Sequence, residues 1–307
     1  MKIGLIDVDG HSNFPNLALM KISAWHKSQN DDVSFYDGLF GGQYDRVYMA
    51  KVFTTTRQYE QVINCSDIIR GGTGYDLTTD LPSEVENIYP DYDLYNVKSA
   101  YGFLTRGCPR GCNFCIVGDK EGLKSVQVAE LPDFWHGQKE IILLDPNLLA
   151  CEKSDQLLQD LIGSGAWVDF TQGLDIRLMT DYRAELLNQM KIKMIHFAWD
   201  NADDYTYQKL KYFRPLLNYS RRKLGVFILT NFNTTFDQDL ERIYKLKELQ
   251  YDPYVMIYDK NNASLQNLRV QRWTNNKILF QSTEKFEDVK MDRKLAAREN
   301  KTKKQVR

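Results

Sequence analysis

Between residues 100 and 258 the chain repeats one local pattern, and this repetition limits its fold more than any other feature. Short apolar runs of strand length occupy 100–105, 140–144, 167–171, 193–199, 224–230 and 254–258. Apolar residues at helical spacing fill four of the intervals, at 154–163, 181–190, 203–218 and 237–249. Strands joined through helices pair in parallel, with right-handed crossovers. The fold class expected is therefore α/β, with a partial (β/α)6 parallel barrel. Each helical pattern opens on Ser or Asp, types that accept hydrogen bonds from the open N–H groups of a first turn. Gly163 and Gly165 suit the end of the first.

A second α/β layer precedes this series. Apolar runs at 2–7, 33–36, 46–53 and 67–70, with a helical pattern at 16–25, read as a small Rossmann-like domain. Gly71-Gly72-Thr73-Gly74 lacks both phosphate-loop spacings and reads as a turn. Residues 81–96 are acidic, carry Pro82 and Pro90, and read as a linker or wrapped loop. The expected organisation is a Rossmann-like domain at 1–97, the barrel at 98–260, a C-terminal extension at 261–289 and a basic tail at 290–307. In the extension, Arg272-Trp273 reads as core packing rather than as a stacking pair for a base.

Hydrophobic residues make up 43% of the chain and charged residues 26%, and no apolar run reaches bilayer length. Residues 1–7 resemble a strand closed by an acid more than a signal peptide, so a cytoplasmic protein with no membrane partner is expected. The net charge of −1 hides eight Lys/Arg against two acids in 290–307. That tail is read first as solvated; it also leaves nucleic acid open as a partner.

Three of the five cysteines lie within Cys108-Pro109-Arg110-Gly111-Cys112-Asn113-Phe114-Cys115, spaced CxxxCxxC. Thiolates crowded like this repel one another unless a metal takes up their charge. Gly107 and Gly111 allow tight backbone and Pro109 stiffens it. Three sulfurs leave one position open. An iron–sulfur cluster fits this spacing better than zinc, whose structural sites are closed and four-coordinate. Zinc stays in contention if Cys151 or one of His11, His26, His136 and His196 completes the set. Cys65 and Cys151 read as ordinary cysteines. The strand ends carry Arg106, Asp145, Gln172, Asp200, Asn231 and Asp259, at the edge where parallel α/β folds bind ligands.

The CxxxCxxC motif, with Phe114 before its last cysteine and a strand before it, resembles the signature of the radical S-adenosylmethionine superfamily. The resemblance covers residues from about 98 to 260. It implies Cys108, Cys112 and Cys115 as ligands of a 4Fe–4S cluster, with S-adenosylmethionine on the fourth iron. It also implies Phe114 near the adenine, and Asp145, Gln172, Arg177 and Asp200 as cofactor contacts. The segment 227–231 lacks the Gly-Pro turn that packs adenine in many members. The first domain looks like the cobalamin-binding-like domain that precedes the barrel in some members. The DxHxxG loop is absent, Asp7 to His11 being a partial echo, so a vestigial or substrate-facing domain is favoured over bound cobalamin. The expected function is reductive cleavage of S-adenosylmethionine and hydrogen abstraction from an unknown substrate, with flavodoxin or ferredoxin as reductant. The alternative is a non-enzymatic metal protein, either a zinc-stabilised module or an electron carrier.

Overall fold

The computed structural model describes residues 1–10 and 14–289. His11 and the basic tail at 290–307 lie outside the described residues. The chain forms two compact units, Met1–Asp145 and Pro146–Arg307, so the division falls within the stretch expected to form the barrel.

The first unit begins with β1 (Lys2–Asp7), α1 (Leu17–Ser28), β2 (Asp32–Phe35), β3 (Arg46–Ala50) and β4 (Ile68–Gly71). These strands form a parallel sheet in the order β2-β1-β3-β4, the expected small α/β layer. Four successive residues of β1 are buried, because both faces of the sheet are covered. One face packs Ile3 and Leu5 on Leu19 and Ile22 of α1. The other packs Ile6, Val47 and Met49 under Tyr36, Tyr59, Ile63 and Tyr75. The Asn16 side chain accepts the Leu19 N–H at 3.1 Å and starts α1.

Residues 81–96 are a wrapped segment rather than a free linker. They hold the short helix α2 (Ser83–Glu86) and a 3-10 turn at Tyr92–Tyr95. Ser23 and Lys27 of α1 both donate to Asp91 at 2.6 Å. Lys21 pairs with Glu86 at 2.8 Å, and Tyr95 donates to Asp7 at 2.7 Å.

Then come β5 (Ala100–Gly102), β6 (Thr105–Arg106), α3 (Val117–Glu121), β7 (Val126–Gln127) and β8 (Glu140–Leu143). β5 pairs in parallel with β8, and β6 pairs antiparallel with β7. The single strand expected at 100–105 is thus two. Asp145 takes the N–H groups of Leu104 and Thr105, which removes them from the parallel ladder and turns the chain.

The second unit continues the alternation through α4 (Ser154–Ser164), β9 (Trp167–Phe170), α5 (Asp181–Gln189), β10 (Lys191–Ala198), α6 (Asp204–Phe213), β11 (Leu224–Thr230), α7 (Phe236–Glu248) and β12 (Asp252–Ile257). These four strands are parallel, each beside the next. With β5 and β8 they make the six parallel strands of the expected (β/α)6 series, so the fold is α/β, consistent with a partial barrel. Two details differ from expectation. The helix expected at 203–218 stops at Phe213, because Pro215 lacks an N–H and sits in a 3-10 turn, Arg214–Leu216. The expected cap is found at Asp203, whereas α5 and α7 are capped one and two residues before the expected Asp181 and Asp237. Thr180, Asp203 and Thr235 accept the N–H groups of Arg183, Thr206 and Gln238, while α4 has no side-chain cap. Gly165, with φ of 65°, ends α4.

The extension forms α8 (Leu265–Asn275) and α9 (Lys277–Ser282). Trp273 is fully buried against Tyr244, Phe280 and Phe286, which is the core role expected for it. Asn275 accepts the Val255 N–H at 2.8 Å and donates to the Val255 carbonyl at 3.0 Å. Its amide thereby satisfies the backbone of β12, which has no strand on that side. No helix among the described residues is long and apolar enough to cross a membrane.

Candidate functional site

In the first unit the cysteine loop leaves β6 and ends at α3, and its base is fastened at several points. Gly107 has φ of 86°, and a Cβ there would strike the Lys124 carbonyl, so this position requires glycine. The Gly107 N–H donates to Glu121 at 3.0 Å, and the Cys108 N–H donates to the Gly122 carbonyl at 3.1 Å. Arg106 donates to Glu121 and Glu86, both at 3.1 Å, with its guanidinium 3.9 Å from the centre of the Phe103 ring. The loop is closed by the Cys115 N–H donating to the Cys112 carbonyl at 2.9 Å. Glu121 and Glu86 were not foreseen from sequence; an acid 14 residues beyond the glycine it holds leaves no local signal.

None of the five cysteines is in a disulfide. Cys115 is exposed, and Cys108, Cys112 and Phe114 are half-buried in the same loop. Among the described residues, no three His, Cys, Asp or Glu side chains surround one point that could hold a metal ion. A four-iron cluster takes one thiolate per iron, so its ligands stand apart around a cube rather than around a single ion. Three thiols on a loop that is fixed at its base and partly open fit that donor set. The other candidate metal ligands have local partners. His26 meets Asp31 at 2.6 Å and the Tyr48 hydroxyl at 3.0 Å. His136 stacks on Tyr89 and His196 on Phe227, while Cys151 is buried. Cys65 donates to the Asp67 carbonyl.

Asp145 is 4% exposed, and its carboxylate accepts from the Leu104 and Thr105 N–H groups and the Thr105 hydroxyl. As folded it fixes the backbone that enters the cysteine loop. Burial raises its pKa to about 6, against the pull of those hydrogen bonds. The folded protein therefore holds this proton more tightly than the unfolded chain does. Stability from this group is full below about pH 4 and is lost as pH rises through 6, by roughly 3 kcal/mol in all. Asp145→Asn should remove that slope. The check is the urea unfolding free energy of both proteins at pH 4.5 and pH 7.5. An equal fall in the two would contradict the assignment.

In the second unit, Gln172 is exposed beside Gly173, whose φ is 102°. Arg177 forks onto Asp175 through Nε at 2.7 Å and Nη2 at 3.1 Å. Asp200 follows β10, and its Oδ1 is buried with no hydrogen-bond partner among the described residues. Burial raises its pKa; a hydrogen bond from the Leu229 backbone and the charges of Arg242 and Arg177 oppose the rise. Asn231, just past β11, has φ of 60° and donates to the Asp259 carbonyl at 3.3 Å. Below these strand ends lies a charged pair not foreseen from sequence, Asp239 and Arg242 on α7, which are 1% and 2% exposed. Arg242 donates to the Trp199 and Leu229 carbonyls at the ends of β10 and β11.

No family model and no curated protein matches the chain. Six chains among solved structures do. Streptococcus suis SuiB bound to the precursor peptide SuiA is 13% identical, with 62% of this chain and 49% of that one covered and a TM-score of 0.43. SuiB bound to S-adenosylmethionine is 14% identical, with 62% and 47% covered and a TM-score of 0.42. A further SuiB structure is 13% identical, with 65% and 49% covered and a TM-score of 0.41. The chain spans about half the length of these structures, and a likeness at this level assigns no residue a role.

Proposed function

We propose that the chain is a radical S-adenosylmethionine enzyme, with residues 98–260 as its catalytic part. The observation that carries the reading is the fastened loop bearing Cys108, Cys112 and Cys115 just after the first strand of a parallel series. Each of these thiolates would hold one iron of a 4Fe–4S cluster, and S-adenosylmethionine would complete the fourth. Bound together, the pair supplies one-electron cleavage of the sulfonium and hydrogen abstraction from substrate.

The chain's own residues position and screen. Glu121 and Arg106 hold the loop base, and Asp145 holds the turn that enters it. Phe114 offers a ring for the adenine. Asp200 has an acceptor oxygen without a hydrogen-bond partner among the described residues, suited to a ribose hydroxyl, and Gln172 and Arg177 are the further polar contacts. In this reading residues 1–97 are a preceding, substrate-facing layer without cobalamin, and 261–289 are an extension of the barrel. Flavodoxin or ferredoxin is the electron source in the cytoplasm. Nucleic acid remains a substrate class through residues 290–307.

The test is anaerobic reconstitution with iron and sulfide, followed by spectroscopy with and without S-adenosylmethionine. The expected result is a cluster spectrum that changes on adding S-adenosylmethionine, and 5′-deoxyadenosine formed under dithionite. Zinc in the purified protein with no cluster formed, or a spectrum indifferent to S-adenosylmethionine, would rule the reading out.

A further inference from the structure

The first sheet has its own ligand edge. Its order β2-β1-β3-β4 means that the chain leaves β1 to one side and later returns to the other. In open parallel sheets, ligands bind beyond the carboxyl ends of the strands at such a reversal. Asp9 follows β1, Lys51 follows β3, and Gly72, Gly74 and Tyr75 follow β4.

Lys51 is 2% exposed, yet among the described residues its Nζ has neither a hydrogen-bond acceptor nor an ion-pair partner. Its Nζ lies 5.9 Å from the centre of the Tyr75 ring. The Tyr75 hydroxyl is itself buried and unpartnered. The Asp9 carboxylate accepts from the Val52 N–H and the Thr56 hydroxyl and makes no ion pair with Lys51. The lysine is also held in place. Gly74 donates to the Lys51 carbonyl at 2.9 Å. A Cβ on Gly72 would strike that carbonyl, and one on Gly74 would lie 2.6 Å from the Lys51 side chain. The glycine turn thus closes on Lys51 and fixes it where, among the described residues, it meets no ion-pair partner.

A lysine this enclosed and a buried phenol hydroxyl, neither with a hydrogen-bond partner among the described residues, both gain from an acceptor, and one acceptor group would satisfy both. We propose that the carboxyl edge of the first sheet binds an oxyanion, the carboxylate or phosphoryl group of a small molecule, between Lys51 Nζ and the Tyr75 hydroxyl. Asp9 and the glycine turn position this site and do not touch the ligand.

The test is thermal melting of the full chain at matched ionic strength in chloride, with inorganic phosphate or with succinate; it reads no activity and stands apart from the metal reading. One of the two anions should raise the melting temperature by about 3 °C at ten times its Kd, and which one does so identifies the oxyanion. Lys51→Met should abolish that shift and, without anion, melt no lower than wild type, because among the described residues the ammonium has no ion pair or hydrogen bond to lose. Tyr75→Phe should keep the fold and weaken anion binding several-fold. The proposal is overturned if neither anion shifts the wild type, if Tyr75→Phe or Lys51→Met binds as the wild type does, or if Lys51→Met melts markedly lower without anion.

Discussion

Cys112→Ala is expected to take the reconstituted protein from about four irons per chain to almost none, with 5′-deoxyadenosine formation falling below detection. A cluster held by three thiolates has no spare protein ligand, so losing one loses the cluster. The substitution should leave the fold intact. Cys112 lies outside helix and strand, and alanine retains its carbonyl, which accepts the Cys115 N–H. Unfolding of the iron-free protein should therefore shift by less than about 0.5 kcal/mol. Cys65→Ala is the matched control, because that thiol donates to Asp67 in the first sheet and should keep its iron complement. Full iron in Cys112→Ala would refute the ligand assignment. Equal iron loss in Cys65→Ala would show that the fold, rather than the ligand set, had failed.

The second large effect is on stability. Asp239→Ala is expected to cost about 3–5 kcal/mol, read as a lower urea midpoint at an unchanged slope. Asp239 and Arg242 are both almost completely buried, and Asp239 is the counter-charge that the guanidinium meets directly. Removing the acid leaves a cation in the core hydrogen-bonded to the Trp199 and Leu229 carbonyls and the Thr234 hydroxyl, with the Asp200 and Asp203 charges acting on it without an ion pair. Burial already lowers the pKa of Arg242 against the pull of Asp239. The double variant Asp239→Leu/Arg242→Met should recover much of the loss, because it leaves neither charge unpaired. A single-variant loss under about 1 kcal/mol would mean that water reaches the guanidinium. Since Arg242 joins the ends of β10 and β11, the single variant should also loosen the backbone that carries Asp200.

Much of the chain could be read from local pattern. The boundaries of β1, α4, β9, α5 and β11 fall within a residue or two of their apolar runs, because a strand or helix that buries one face needs its apolar residues at that period. Where the reading slipped, a contact distant in sequence intervened. The run at 100–105 breaks because Asp145, some 40 residues on, captures two of its N–H groups. Asp145 is legible as a polar residue at a strand end, but its hold on the Leu104 and Thr105 backbone is not. Nothing local marks Lys51, since a lysine after an apolar strand ordinarily reaches solvent.

By itself, the sequence determined the parallel α/β alternation and put three thiols in one short loop, because periodicity and spacing are properties of neighbouring residues. Only the tertiary structure decided what those residues face. It closed the loop base with Glu121 and Arg106, buried Asp239 against Arg242, and enclosed Lys51 with no ion-pair partner among the described residues. Burial and charge pairing depend on which distant segments the fold brings together, and no local period records that.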